Sequence, residues 1–237
     1  TASTARIRIS LLPSYLKKPE WLCFDLDGTL VDSAPDIAAA MNYALQEMGL
    51  APATLAEVRN FIGDGAYVLL QRGLSHAGLE QPSEADMAQA RRYFDLAYGE
   101  GIAAHSICYP DCETVLASFA AQAIPMALVT NKPRQFVPPL LQRLGLSDYF
   151  PVLLCGDDLA QKKPHPAPIQ SAVAQMQKEV TSGYMVGDSV TDMEAAWRAG
   201  AGAIYMSYGY NRGISVEQFN PIRLNGLAQL LNLFERE

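Results

Sequence analysis

The chain has 237 residues, of which 49% are hydrophobic and 18% charged, a composition typical of globular proteins and not of disordered or collagen-like chains. Its 25 acidic and 18 basic side chains give a formal charge of −7. This charge argues against nucleic acid or an anionic membrane as a partner, because binding phosphate groups requires a cationic surface. No apolar run approaches the roughly 18 residues of a membrane span. Four cysteines without a CxxC pair are expected to be free thiols, so we predict a soluble cytoplasmic protein.

Residues 1–19 differ in composition from the rest of the chain. Up to Lys18 they contain four basic side chains and no acidic one. They lack the long apolar centre and the cleavage site of a signal peptide. We treat them as an N-terminal extension of unknown role.

Five short apolar runs predict the strands of a parallel sheet. Each run ends near Gly, Asp or Asn, and such runs are typical of strands that are buried on both faces. They cover residues 21–24, 126–130, 152–155, 184–186 and 203–206. Amphipathic helical patterns separate the last four runs. This alternation predicts an α/β fold with a doubly wound parallel sheet and right-handed crossovers.

About a hundred residues separate the first run from the second, which is far more chain than one crossover requires. This stretch contains helical patterns and no strand pattern. The helix starts are marked by Ser33 with Asp36, Thr54 with Glu57, and Ser83. We therefore predict an inserted α-helical cap domain over residues 34–104, and a core domain made of residues 20–33 and 105–237.

Polar side chains that can carry chemistry follow four of the predicted strands. In strand order they are Asp25 and Asp27, then Thr130 and Asn131, then Lys163, and finally Asp188 and Asp192. The carboxyl ends of parallel strands share one edge of the sheet, where open α/β sheets bind ligands. We expect Asp25 and Asp27 to point to opposite sides of the chain and to have separate roles.

One carboxylate from the first strand and one or two from the fourth would form an all-oxygen site suited to Mg²⁺. Each residue also has a plainer interpretation. Asp25 and Asp27 can belong to a polar turn, Thr130 to a helix cap, Lys163 to a solvated loop, and Asp192 to a helix N-terminus that favours negative charge. Four such coincidences at successive strand ends of one sheet are harder to accept than one shared site.

In this order the residues resemble the four motifs of the haloacid dehalogenase superfamily. The matching segments are Asp25-x-Asp27-Gly-Thr, Thr130-Asn131, Lys163-Pro164 and Gly187-Asp188-Ser189-x-x-Asp192. The resemblance covers about residues 20–213, and the helical insertion is similar to the C1-type cap of that superfamily. Within that superfamily, the chain resembles the phosphoglycolate phosphatases in particular. The matching segments are 24–33, 58–63, 129–133, 156–159 and 163–166.

The resemblance implies a Mg²⁺-dependent phosphomonoesterase for a small phosphorylated metabolite, with 2-phosphoglycolate as the first choice. Asp25 would be the nucleophile that forms an aspartyl-phosphate. Asp27 would be the general acid and then the general base. Mg²⁺ would be held by Asp25, the backbone carbonyl of Asp27 and Asp188, with Asp192 orienting these groups from behind.

The same resemblance implies that Thr130, the backbone of Asn131 and Lys163 hold the phosphoryl oxygens. In the predicted cap, the glycine-rich turn at residues 61–65 is either a simple connection or the segment that selects the leaving group. Arg59 precedes this turn and is able to pair with a substrate carboxylate.

Several other functions compete with this interpretation. Another sugar-phosphate phosphatase or a β-phosphoglucomutase-like phosphotransferase would use the same two aspartates. A dehalogenase is disfavoured because Asp27 supplies the second acid that phosphoryl transfer to water requires. A non-catalytic regulatory protein on the same fold would have lost one of the acids, and this sequence keeps them. A dinucleotide-binding enzyme would carry GxGxxG after its first strand, and this sequence does not. The protein is expected to be a monomer or a homodimer.

Overall fold

A computed structural model describes residues 16–234 of the chain. Residues 1–15, the greater part of the predicted extension, lie outside the described residues. At the start of the described part, the Leu16 N–H donates to the carbonyl of Leu233 (3.0 Å). Among the helices that the structure describes, none is both long and apolar enough to cross a membrane.

The centre of the fold is a parallel sheet of six strands in the order β5-β4-β1-β6-β7-β8. The strands of the described residues are β1 (Leu22–Phe24), β2 (Val31–Asp32), β3 (Ile107–Cys108), β4 (Met126–Val129), β5 (Val152–Leu154), β6 (Tyr184–Gly187), β7 (Gly202–Met206) and β8 (Ile222–Leu224). The predicted α/β fold with a parallel sheet is confirmed. The sequence analysis missed β8, and it also missed β2 and β3, which form a separate antiparallel pair.

Strand β1 is buried on both faces, as its continuous apolar run predicts. Leu22 and Phe24 belong to one apolar cluster, whereas Trp21 and Cys23 belong to another. Successive side chains of a strand point to opposite faces, so the two clusters lie on opposite faces of the sheet, and the first of them extends into the helical insertion. The four cysteines are free, as expected.

Eight α-helices are present in the described part of the chain. They are α1 (Ala34–Glu47), α2 (Leu55–Arg59), α3 (Ala66–His76), α4 (Glu84–Glu100), α5 (Cys112–Ala121), α6 (Val137–Arg143), α7 (Ala167–Gln175) and α8 (Val190–Ala199). The first four lie between β2 and β3, and residues 34–104 contain no strand. Helix α3 was not among the helices predicted from the sequence. The division into a core domain and a cap domain stays a prediction.

Helix α1 begins at the predicted residue, but its predicted capping pair does not form. The Ser33 hydroxyl donates to Asp27 (2.5 Å) instead of capping the helix. The buried Asp36 carboxylate accepts hydrogen bonds from the N–H groups of His105 (2.8 Å) and Ser106 (2.9 Å) and from the Ser106 hydroxyl (2.5 Å). Asp36 therefore ties the start of the helical insertion to the chain that returns to the core.

Replacing Asp36 with Ala should lower the free energy of unfolding by about 2–4 kcal/mol, because two backbone N–H groups lose a charged acceptor in a buried place. Urea denaturation measures this loss. Asp86→Ala is the matched control, since Asp86 accepts two hydrogen bonds from Ser83 at an exposed helix start. Its loss should be clearly smaller, and equal losses would contradict the assignment of Asp36.

Candidate active site

The candidate site lies where the strand order of the sheet reverses. Strand β1 pairs with β4 on one side and with β6 on the other, so the carboxyl ends of these three strands lie side by side. The segments after them carry Asp25 and Asp27, Thr130 and Asn131, and Asp188. The loop after β5 adds Lys163. The structure therefore brings together the residues that the sequence analysis placed at four strand ends.

Lys163 is a buried cation held between two carboxylates. Its Nζ donates to Oδ1 of Asp25 (2.8 Å) and to Oδ1 of Asp192 (2.6 Å). Burial alone would lower the pKa of Lys163, but the carboxylates of Asp192 and Asp25 outweigh that effect and hold its pKa above its usual range. The alternative interpretation of Lys163 as a solvated loop charge is wrong.

Asp25, Asp188 and Asp192 form an acidic triad, with one carboxylate oxygen of each lying within 4.8 Å of the others. Burial raises the pKa of Asp25 to about 7, against the opposing charge of Lys163. Burial and the neighbouring carboxylates also raise the pKa of Asp188 well above its usual value. When all three carboxylates are ionised, they exceed the one ammonium group by two negative charges, and a divalent cation with oxygen ligands would balance this excess. The donor set fits such a cation.

The Asp188 carboxylate is fixed by two hydrogen bonds. It accepts from the hydroxyl of Thr29 (2.7 Å) and from the backbone N–H of Tyr210 (2.6 Å). Gly28 lies against it with φ +91°, and a Cβ on Gly28 would lie 2.4 Å from an Asp188 oxygen. Only glycine fits there, which gives a physical reason for the glycine in the Asp25-x-Asp27-Gly segment.

Asp192 contributes both to the acidic triad and to the N-terminal cap of α8. Its Oδ1 accepts from Lys163, whereas its Oδ2 accepts from the Ser189 N–H (3.1 Å) and the Ser189 hydroxyl (2.6 Å) in the capping box of α8. Asp192 therefore lies at the start of α8, as its structural interpretation has it, and it also contacts Lys163 beside Asp25.

Asp27 contacts a lysine that the sequence analysis missed. Nζ of Lys132 lies 3.0 Å and 3.1 Å from the two Asp27 carboxylate oxygens, and 4.6 Å from the centroid of the Tyr98 ring. Lys132 follows Thr130 and Asn131 directly in the sequence, and this position could have marked it as a residue of the site. Asp25 and Asp27 line the same cavity, so the expectation that they point to opposite sides is wrong. Residues that are two positions apart in an extended segment lie on the same face.

Thr130 and Asn131 fix the loop after β4. The Thr130 hydroxyl accepts from the Lys132 N–H (3.1 Å), which closes a local turn. The Asn131 side-chain amide donates to the carbonyls of Gly63 (3.1 Å) and Lys163 (2.9 Å). Asn131 therefore links the loop after β4 to the loop that carries Lys163 and to the predicted cap turn.

A cavity of about 490 Å³, counted out to its opening to solvent, lies between the strand ends and the helical insertion. Its polar floor contains Asp25, Asp27, Thr130, Asn131 and Lys132. The apolar side chains that line it include Ile37, Ile62, Leu69, Phe94, Tyr98 and Phe136. Polar and charged groups on the floor with apolar side chains around them suit a small polar molecule.

Arg59 is not among the residues that line this cavity. Its guanidinium pairs with Asp32 (3.0 Å) and lies over the Tyr210 ring, 6.0 Å from the ring centroid. The suggested pairing of Arg59 with a substrate carboxylate stays a prediction, and in this structure Asp32 is the partner.

The glycine-rich turn at residues 61–65 is tied to the core by Asp64. The Asp64 carboxylate accepts from Arg212 (2.9 Å) and from the Thr191 hydroxyl (3.0 Å), and its carbonyl accepts from Lys162 Nζ (2.6 Å). Burial opposes ionisation of Asp64, but Arg72 and Arg212 outweigh it and lower its pKa. The sequence analysis missed Asp64, although an acid between two glycines in this turn was a visible signal.

Comparison with known proteins agrees with this geometry. The family model described as haloacid dehalogenase-like hydrolase matches residues 22–206. The chain belongs to this family. A phosphoglycolate phosphatase of Pectobacterium atrosepticum is 42% identical over 213 residues, which is 90% of this chain and 91% of that protein. A phosphoglycolate phosphatase of Yersinia pestis is 44% identical over 200 residues, covering 84% of this chain and 86% of that one.

A solved structure shows the same relationship. The crystal structure of a predicted phosphoglycolate phosphatase from Haemophilus somnus superposes with a TM-score of 0.85 at 35% identity, and the match covers 90% of this chain and 96% of that one. The prediction of an enzyme, a phosphatase of the haloacid dehalogenase type, is confirmed.

Asp188→Asn should weaken divalent-cation binding at least about tenfold, because it removes an anionic oxygen from the triad. Titration of the protein with Mn²⁺, followed by electron paramagnetic resonance, measures this binding without requiring activity. Asp95→Asn is the control, since Asp95 pairs with Arg91 on α4. Unchanged Mn²⁺ binding by the Asp188 variant would contradict the assignment of the triad.

Asp64→Ala should loosen the turn at residues 61–65 and lower kcat/KM about tenfold, because it removes two side-chain links to the core. Hydrogen exchange of the turn amides should become faster. Arg212→Ala should have a similar effect, and the double variant should lose less than the sum of the two losses. Fully additive losses would show that Asp64 and Arg212 do not act together.

Proposed function

We propose that the chain is a Mg²⁺-dependent phosphatase that cleaves 2-phosphoglycolate to glycolate and phosphate through an aspartyl-phosphate intermediate. The observation that carries the proposal is Asp25 at the floor of the cavity, hydrogen-bonded to a buried ammonium group and adjacent to two further carboxylates. The choice of substrate is supported by relatives named phosphoglycolate phosphatase at 42% and 44% identity over most of the chain.

Mg²⁺ would be held by Asp25, the backbone carbonyl of Asp27 and Asp188. Asp192 would orient the site from behind through its hydrogen bond to Lys163. When bound, the cation screens the repulsion between the Asp25 carboxylate and the phosphate dianion. This set contains only oxygen donors, and its excess negative charge matches a divalent ion.

The chemistry divides between the two aspartates of the first motif. Asp25 attacks phosphorus in line, so that a bond forms between its carboxylate oxygen and phosphorus while the phosphorus–ester oxygen bond breaks. Lys163, the Thr130 hydroxyl and the backbone N–H of Asn131 hold the phosphoryl oxygens during this transfer.

Asp27 moves the proton in both halves of the reaction. It donates a proton to the departing alkoxide, and then accepts one from the water that attacks the aspartyl-phosphate. Water cleaves the new oxygen–phosphorus bond, which releases phosphate and restores the Asp25 carboxylate. The hydrogen bond from Ser33 and the ion pair with Lys132 hold the Asp27 side chain in place for these transfers.

Asp25→Asn should abolish turnover and phosphoenzyme formation, because an amide is a poor nucleophile. Asp27→Asn should keep Asp25 available and lose about 10²- to 10⁴-fold in rate, since it removes proton transfer. With a substrate that has a very good leaving group, the Asp27 variant should accumulate phosphate on Asp25, because breakdown becomes the slow step.

Rapid-quench mass spectrometry with Mg²⁺ present detects and locates this phosphate. The parallel assay measures phosphate released from 2-phosphoglycolate and from a panel of sugar phosphates by the unmodified enzyme, before and after removal of metal with EDTA. Phosphate on a residue other than Asp25 would refute the mechanism. A preference for a sugar phosphate over 2-phosphoglycolate would refute the choice of substrate.

A further inference from the structure

Lys132 places a cationic group in the lining of the cavity, and the proposed reaction gives this group no contact with the substrate. Its side chain is almost fully buried, and among the described residues that line the cavity it is the only one with a cationic group. Lys163, the other lysine of the site, contacts Asp25 and Asp192 and does not line the cavity. The two lysines therefore contact different parts of the site.

The position of Lys132 is on the leaving-group side of the site. Its Nζ lies 3.0 Å from an Asp27 oxygen, and Asp27 is the residue that donates a proton to the departing ester oxygen in the proposed reaction. In 2-phosphoglycolate the carboxylate carbon is two bonds from that oxygen. The substrate carboxylate must therefore lie close to Asp27, on the side away from phosphorus.

We propose that Lys132 is the specificity-determining residue of this enzyme and that its ammonium group binds the carboxylate of the substrate. The inference rests on the proposed function. An ammonium group has three N–H donors, and the two Asp27 oxygens that it contacts leave it able to donate to a further acceptor. The apolar side chains that line the cavity strengthen this pairing, because charges attract each other more strongly where water is excluded.

Arg59 is the competing cation for the same role. Its Nε is buried without a hydrogen-bond partner among the described residues, but its guanidinium is paired with Asp32 outside the cavity lining. Both cations are paired with an aspartate, Arg59 with Asp32 and Lys132 with Asp27. Lys132 lines the cavity that the substrate would enter and Arg59 does not, so the geometry favours Lys132.

The test compares two inhibitors that differ only in a carboxylate. In 3-phosphonopropionate a methylene group replaces the ester oxygen of 2-phosphoglycolate, and propylphosphonate has a methyl group in place of the carboxylate. Calorimetry measures how tightly each one binds to the Mg²⁺-loaded enzyme, and it does not require proton transfer by Asp27. The variants are Lys132→Met, Lys132→Arg and the matched control Arg59→Met.

Unmodified enzyme should prefer 3-phosphonopropionate. Lys132→Met should weaken its binding roughly 10- to 100-fold, the size expected for a charge-assisted hydrogen bond, and should change the binding of propylphosphonate little. Lys132→Arg should recover a large part of the preference, and Arg59→Met should leave it unchanged. If Lys132→Met does not fold, Lys132→Gln replaces it, and the same loss of 3-phosphonopropionate binding is expected.

A Lys132→Met enzyme that keeps the preference of the unmodified enzyme for 3-phosphonopropionate would overturn the inference. So would a loss of that preference in Arg59→Met alone. Either result leaves the proposed function in place if the unmodified enzyme releases phosphate from 2-phosphoglycolate. An unmodified enzyme that does not prefer the carboxylated inhibitor, and that hydrolyses another phosphomonoester instead of 2-phosphoglycolate, would overturn the inference and the proposed substrate together.

Discussion

One buried cation, the ammonium group of Lys163, joins three parts of the fold. It reaches from the loop after β5 to Asp25, which follows β1, and to Asp192 in the first turn of α8. Taking an ammonium group out of water costs several kcal/mol unless carboxylates surround it. Because each of the three segments supplies one of these charges, all three must come together before the ammonium group has both of its carboxylate partners. The position of Asp25 therefore depends on the whole edge of the sheet and not on β1 alone.

The site repeats this arrangement once, with a second lysine and a second aspartate. Lys163 pairs with Asp25, and Lys132 pairs with Asp27 at the end of the cavity that Tyr98 lines. In the proposed reaction the first pair faces the phosphoryl group and the second faces the leaving group. Asp25 and Asp27 are two residues apart, but they have different cationic partners, so each carboxylate has its own electrostatic environment. This separation allows one short segment to supply both a nucleophile and a proton donor.

The sequence predicted those parts of the fold in which burial follows directly from composition. The five predicted strands are continuous apolar runs because both of their faces are covered, whereas β8 has Arg223 exposed at its middle and gives no such signal. The motif residues at the strand ends were predictable for the same reason, since the strands place them. The partners of charged groups in the helical insertion were not predictable. Asp36 was expected to cap α1 and instead accepts hydrogen bonds from residues 105 and 106, which are far away in sequence.

Arg59 shows why the partner of a charged side chain cannot be identified without the folded structure. It pairs with Asp32, and Asp32 also accepts a hydrogen bond from the hydroxyl of Tyr210, whose backbone N–H donates to Asp188. A chain of contacts therefore runs from helix α2 in the insertion to a carboxylate of the acidic triad. On the other side of the insertion, Asp64 connects the glycine-rich turn to the core. These two links add to those of Asp36 with residues 105 and 106 and of Asn131 with Gly63. Because Asp32 accepts from both Arg59 and Tyr210, and Tyr210 also donates to Asp188, one residue of the core connects helix α2 with the acidic triad. The fold therefore places the inserted helices and the triad relative to each other through shared partners and not through a direct contact.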